Sequence, residues 1–179
     1  MGRDGFDIAL KPRPLALFGL LYSGMATNAV NGLVCPGYFI RVMGWHGIAD
    51  VWSASIAQGF AEGLGVSFLV SLFFTVGTGL ITGAACSYGF AVRHLFYVVA
   101  GALAFWMLGG LAAVGLAAFS PGFYRSTFGG MPLAPEELLS YAWVGGSIIG
   151  VEWGGGASAI LGMVLVRANW RRESAARLS

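Results

Sequence analysis

Residues 138–166 read LLSYAWVGGSIIGVEWGGGASAILGMVLV, 29 positions with no Lys or Arg and one acid, Glu152, fourteen residues from either end. At a rise of 1.5 Å per residue such a run exceeds the roughly 20 residues that cross a hydrocarbon core of about 30 Å. Three more apolar runs of sufficient length precede it, at 15–35, 60–86 and 92–119. Their connections hold helix breakers or charge: Pro36-Gly37, Asp50, Pro121-Gly122, and Pro132 and Pro135 before Glu136-Glu137. The sequence thus predicts an all-α integral membrane protein, a four-transmembrane-helix bundle forming one domain over 1–179.

Composition agrees with lipid as the main solvent. Of 179 residues, 57% are hydrophobic and only 10% charged, and the mean hydropathy is +0.76. A soluble domain carries about 25% charged residues, so this chain cannot cover a water-facing surface. The 29 glycines sit inside apolar runs, where small residues let membrane helices approach closely. A net charge of +2, dispersed along the chain, excludes a nucleic-acid surface.

The basic residues sort by side. With both termini inside, the inner segments hold Arg3, Lys11, Arg13, Arg93, Arg167, Arg171, Arg172 and Arg177, while the outer loops hold only Arg41 and Arg125. This is the positive-inside bias, and it places both ends in the cytoplasm or its organellar equivalent. The expected location is a bacterial inner (cytoplasmic) membrane or an organellar inner membrane. Trp45, Trp52, Tyr124, Trp143 and Trp170 fall where interfacial aromatics anchor spans. The first outer loop, 36–58, is long enough for a short interfacial helix carrying Trp45, Ile48, Val51, Trp52 and Ile56. No small-x-small cleavage site closes the first apolar run, so that segment is expected to be retained.

Thiol and metal chemistry find little support. Cys35 and Cys86 fall at opposite ends of spans, too far apart for a disulfide, and no C-x-x-C occurs. His46 and His94 are separated in the same way and cannot share a cofactor. His94 remains a candidate single axial ligand to a haem or chlorophyll-type pigment, against the plainer reading of a polar residue marking a helix boundary beside Arg93. No metal site, nucleophile elbow, P-loop or dinucleotide fingerprint is visible.

Intramembrane polar residues carry most of the functional information. An ionised carboxylate at Glu152 costs several kcal/mol unless paired or hydrated, so it should face protein or a watery cavity, as a proton or cation site or as hydrogen-bonding glue. Gly146, Gly150 and Gly154 form a small-xxx-small helix-packing ridge, and Glu152 lies about 160° to 200° around the helix from Gly150 and Gly154. On the first span Ser23, Thr27 and Asn31 recur every four residues with Asn28 beside them. Thr27, Asn28 and Asn31 should turn inward, where they are the best available partners for Glu152. The third span is almost purely apolar and should face lipid or a very greasy partner.

Tyr38-Phe39 and the opening of the second span, Ala61-Glu62-Gly63-Leu64-Gly65, slightly resemble small four-helix DoxX-type membrane proteins associated with redox complexes, over about a third of the chain. No residue role carries over from it. A mid-helix acid also marks rotary-ATPase ring subunits, but this chain lacks their Gly- and Ala-rich first helix. The residues therefore lead to a non-catalytic integral-membrane subunit of a larger hetero-complex, respiratory or photosynthetic in kind, contacting membrane lipid and other integral-membrane subunits, with bound lipid, quinone or pigment as candidate cofactors. The alternative is a small transporter, channel or ion-coupled protein that uses Glu152.

Overall fold

A computed structural model describes residues 14–129 and 134–176, with side chains from Tyr22 onward in the first helix. Arg3, Lys11, Arg13, Pro132 and Arg177 lie outside the described residues. All regular structure among the described residues is helical: α1 Pro14–Val34, α2 Pro36–Val42, α3 Val51–Thr82, α4 Tyr88–Phe119, α5 Pro121–Tyr124, a π-helical turn Arg125–Gly129, a 3-10 turn Pro135–Glu137 and α6 Leu138–Ala176. Three helices, Val51–Thr82, Tyr88–Phe119 and Pro135–Ala176, are long and apolar enough to cross a membrane. The chain is a multi-pass membrane protein. α1 has 21 residues. Large apolar side chains such as Leu80, Phe68, Phe96 and Leu108 are exposed along the long helices, as lipid contact requires.

Local chemistry sets the boundaries. Pro36 and Pro121 open α2 and α5 at positions where a missing N–H costs nothing. Asp50 caps α3, its carboxylate accepting from the Ser53 N–H at 3.0 Å and from the Ser53 hydroxyl at 2.6 Å. Val51, Trp52 and Ile56 therefore belong to the first turns of a 32-residue spanning helix. The short helix of that loop lies earlier, at Pro36–Val42, which corrects the expected surface helix over Trp45 to Ile56. α3 ends at Gly83, whose φ of 58° takes the left-handed conformation that closes a helix. After a tight turn, Ser87 caps α4 through the Phe90 N–H at 3.2 Å.

The long helices alternate in direction and pack as two pairs, α1 with α3 and α4 with α6, joined to each other by much less contact. One end of the bundle carries residues 35–50, 120–129 and 134–137 and is held by the Arg41–Glu137 ion pair at 2.7 Å and a cluster containing Phe39, Tyr124, Leu138, Tyr141 and Val144. The opposite end, at the 83–87 turn, is held by Phe74, Phe90, Leu95, Val98 and Val166, with Arg93 and Glu173 at 3.5 Å. Trp143 does not anchor at a surface. Its ring lies over Gly110 and edge-on to Trp106 at 5.3 Å, and its N–H is buried without a partner.

Candidate functional site

The glycine ridge of α6 packs on α4. A Cβ on Gly150 would strike the Phe105 carbonyl oxygen and lie 3.1 Å from Gly109 Cα, one on Gly146 would strike Ala113 and the Gly109 carbonyl, and one on Gly154 would strike the Phe105 side chain. The ridge continues every fourth residue through Ser158 and Gly162, against Gly101 and Val98. So the third span is not turned wholly to lipid. One face, through Phe105, Gly109 and Ala113, is the other half of this seam, because only there can two backbones come so close.

Thr27, Asn28 and Asn31 are buried on α1. The Thr27 hydroxyl donates to the Gly24 carbonyl at 3.1 Å, and the Asn28 carbonyl accepts from the Ser55 hydroxyl at 3.0 Å. Asn31, 1% exposed, pairs with Ser147 of α6, Oγ to Oδ1, at 3.1 Å, while Asn31 Nδ2 has no partner. Ser147 Oγ also reaches the Val144 carbonyl at 3.0 Å, and a hydroxyl has one proton to give. Turning the amide lets Asn31 donate to Ser147 and Ser147 donate to Val144, so both contacts hold at once. This pair ties the two helix pairs together in the apolar interior.

Glu152 is not brought to that stripe. It is exposed on the side of α6 away from the ridge, next to Trp153, itself 79% exposed. Among the described residues no hydrogen bond or ion pair reaches it. It does act on Tyr38, whose phenol is held above its usual range by burial, then by Tyr141, then by Glu152.

His94 is fully buried and both its ring nitrogens are engaged. Nδ1 lies 2.7 Å from the Phe90 carbonyl, which can only accept, so Nδ1 carries the proton; Nε2 then accepts from Asn169 Nδ2 at 2.9 Å. The ring lies tilted against Phe90 at 4.2 Å and edge-on to Tyr97 at 5.9 Å. For an axial-ligand role, Asn169 would have to leave the nitrogen that binds. Among the described residues no group of three His, Cys, Asp or Glu could hold a metal ion.

One feature escaped the sequence. A half-open groove of about 850 Å³ runs between α4 and α6, floored by Gly109, Gly145, Gly146 and Gly150, walled by Phe105, Leu116, Ile149 and Trp153, and headed by Tyr38, Tyr124 and Tyr141. Tyr124 and Tyr141 are 4% and 7% exposed, and no hydrogen bond among the described residues engages any of the three hydroxyls. The Tyr38 and Tyr124 hydroxyls lie within 4 Å of the same point over Gly145. Burial, with smaller contributions from Tyr141 and Tyr38, pushes the Tyr124 phenol up to about 12, so it stays a proton donor. The three tyrosines come from three elements with no common sequence spacing, and only the fold assembles them.

No family model, curated protein or solved structure matches the chain.

Proposed function

We propose that the chain is a non-catalytic, integral-membrane subunit of a larger membrane assembly, crossing the bilayer four times with α1 as the first span and both termini on the cytoplasmic side or its organellar equivalent. One observation carries this reading: Glu152 is an exposed, unpaired acid on an apolar helix, about 21 Å along α6 from Leu138. A charged side chain facing lipid there costs about 3 kcal/mol, and no hydrogen bond or ion pair among the described residues relieves it. A donor from a neighbouring subunit relieves it fully. The narrower assignment, a respiratory or photosynthetic assembly in a bacterial or organellar inner membrane, draws support from the phenol-headed apolar groove, which suits a lipid-soluble carrier.

Purification in mild detergent with mass spectrometry of what co-purifies tests the proposal. A stoichiometric membrane partner is expected, retained by Glu152→Gln, which keeps hydrogen bonding, and released by Glu152→Leu, which leaves the isolated chain folded because no internal partner is stranded. A small homogeneous oligomer without a partner, losing ion flux in Glu152→Gln, would replace this reading with ion-coupled transport.

A further inference from the structure

We infer that the groove between α4 and α6 is a binding site for a long-chain isoprenoid quinone, its head carbonyl between Tyr38, Tyr124 and Tyr141 and its tail along Gly145, Ile149 and Trp153. The inference concerns this chain alone and holds whether or not the chain belongs to a larger assembly.

Three observations select this occupant. The first is the unsatisfied donors. Tyr124 and Tyr141 are more than nine-tenths buried, line the groove, and bond to nothing among the described residues. Their hydroxyls are not shut away with the rings, so the head of an otherwise apolar groove offers free donors, and a ligand that accepts hydrogen bonds is the expected complement. Burial keeps the phenols of Tyr38 and Tyr124 protonated, so what they offer is donors.

The second is charge. Among the described residues no Lys or Arg lines the groove: Arg41, beside Val42 of the lining, is paired with Glu137 at 2.7 Å, and Arg125, which follows Tyr124 in sequence, is outside the lining. A phosphate head would demand a free cation, whereas a neutral carbonyl demands only the phenols.

The third is length. On α6 the lining runs from Tyr141 to Ala157, sixteen residues or about 24 Å. One leaflet of the hydrocarbon core is about 15 Å deep. The acyl chains of a phospholipid headed at the tyrosines would end well short of the groove's far end, while a polyprenyl tail continues through it. Glycine at 145, 146, 150 and 154 keeps the floor flat enough for such a chain to lie against helix backbone.

The test reconstitutes the full chain, without any partner, in phosphatidylcholine nanodiscs and titrates ubiquinone-10 while recording tryptophan fluorescence, since Trp153 walls the groove. Saturable quenching is expected, most of it lost in Trp153→Phe. Tyr38→Phe with Tyr124→Phe should weaken the apparent affinity about tenfold, the worth of two modest hydrogen bonds. Ala112→Phe, at an exposed position that lines the groove, should abolish saturation. Quenching that rises without saturating, or is equal in the wild type and Ala112→Phe, overturns the inference. So does a phospholipid or peptide that stays bound through ubiquinone-10 excess. If the double tyrosine variant fails to fold, Ala112→Phe decides alone.

Discussion

The two helix pairs solve the same problem with different residues. Both bring backbones together along a four-residue repeat of small side chains: Gly24, Asn28 and Gly32 of α1 against Ser55, Gly59 and Gly63 of α3, and Gly146, Gly150 and Gly154 of α6 against Phe105, Gly109 and Ala113 of α4. In the α1–α3 seam the small residues are also hydrogen-bonding ones, Ser55 reaching the carbonyls of Asn28 at 3.0 Å and Trp52 at 2.7 Å. In the α4–α6 seam Ser158 lies against Gly101 with its hydroxyl buried and unpartnered. The first seam is held by packing and by polar links along its length, whereas the second is packed without them over Gly146, Gly150 and Gly154, its polar links, His94–Asn169 and Arg93–Glu173, lying at the opposite end of the pair. The purely packed stretch leaves its outer face free of polar demands, and on that face the groove opens.

The severest way to break the comparison is to widen a seam. In Gly150→Leu the new side chain meets the Phe105 carbonyl and Gly109 Cα, and in Gly59→Leu it meets the Gly24 carbonyl and Asn28 Cβ at 2.9 Å, so in both cases backbone must move. Each should cost about 3 kcal/mol or more, above the usual overpacking range because no flexible side chain can yield. Leu108→Ile, on the exposed side of α4, should cost little. Steric-trap unfolding in detergent measures all three, and a tolerated Gly150→Leu would show the α4–α6 ridge to be incidental.

A finer probe removes one hydroxyl from each seam. Ser55→Ala loses the single hydrogen bond that its hydroxyl shares between the Asn28 carbonyl across the seam and the Trp52 carbonyl of its own helix, and should cost about 0.6 to 1 kcal/mol, the size typical of interhelical hydrogen bonds in membranes. Ser158→Ala loses nothing that was paired and should be neutral or slightly stabilising, since an unsatisfied buried hydroxyl disappears. Equal costs for the two would erase the distinction between a polar seam and a packed one.

How far the sequence foretells this depends on whether a feature is local. The ridge at Gly146, Gly150 and Gly154 and the three long apolar helices are local periodicities, and periodicity is legible. Its counterpart at Gly101, Phe105, Gly109 and Ala113 has the same spacing, but inside an unbroken apolar run it reads as lipid-facing. The start of α3 at Val51 was signalled by Asp50 and Ser53, an N-cap that the polar look of the loop concealed. The exposure of Glu152 and the engagement of His94 by Asn169, 75 residues away, are matters of tertiary placement, which no spacing encodes. The tyrosine head of the groove is of the same kind.

The smallest expected effect lies where charge crosses at the loop end among the described residues, the Arg41–Glu137 bridge between α2 and the turn before α6. The Arg41 hydrogen bond holds the Glu137 carboxyl below its ordinary range, and Glu137 holds the Arg41 guanidinium above its own. A depressed carboxyl contributes stability that is complete above its unfolded value and is lost as pH falls through its folded one, whereas the arginine's share would fade only at a pH beyond any working range. The bridge therefore weakens in acid, below the normal carboxylate range, and is insensitive from neutral pH upward. Asp50, held low by Ser53, loses its cap of α3 in the same window, so acid sensitivity of the whole chain cannot by itself be credited to the bridge. Subtraction separates them. Glu137→Gln removes the bridge and leaves Asp50, so the difference in thermal midpoint between wild type and variant should be small at pH 7 and shrink toward nothing as pH falls through and below the ordinary carboxylate range. Both partners are exposed enough for water and salt to screen them, so the difference at pH 7 should also shrink at high ionic strength and stay below that of Ser55→Ala. A difference that persists below the carboxylate range would mean that Glu137 acts through packing of the turn at Pro135–Glu137, and that the loop ends of the two pairs are joined by the aromatic cluster alone.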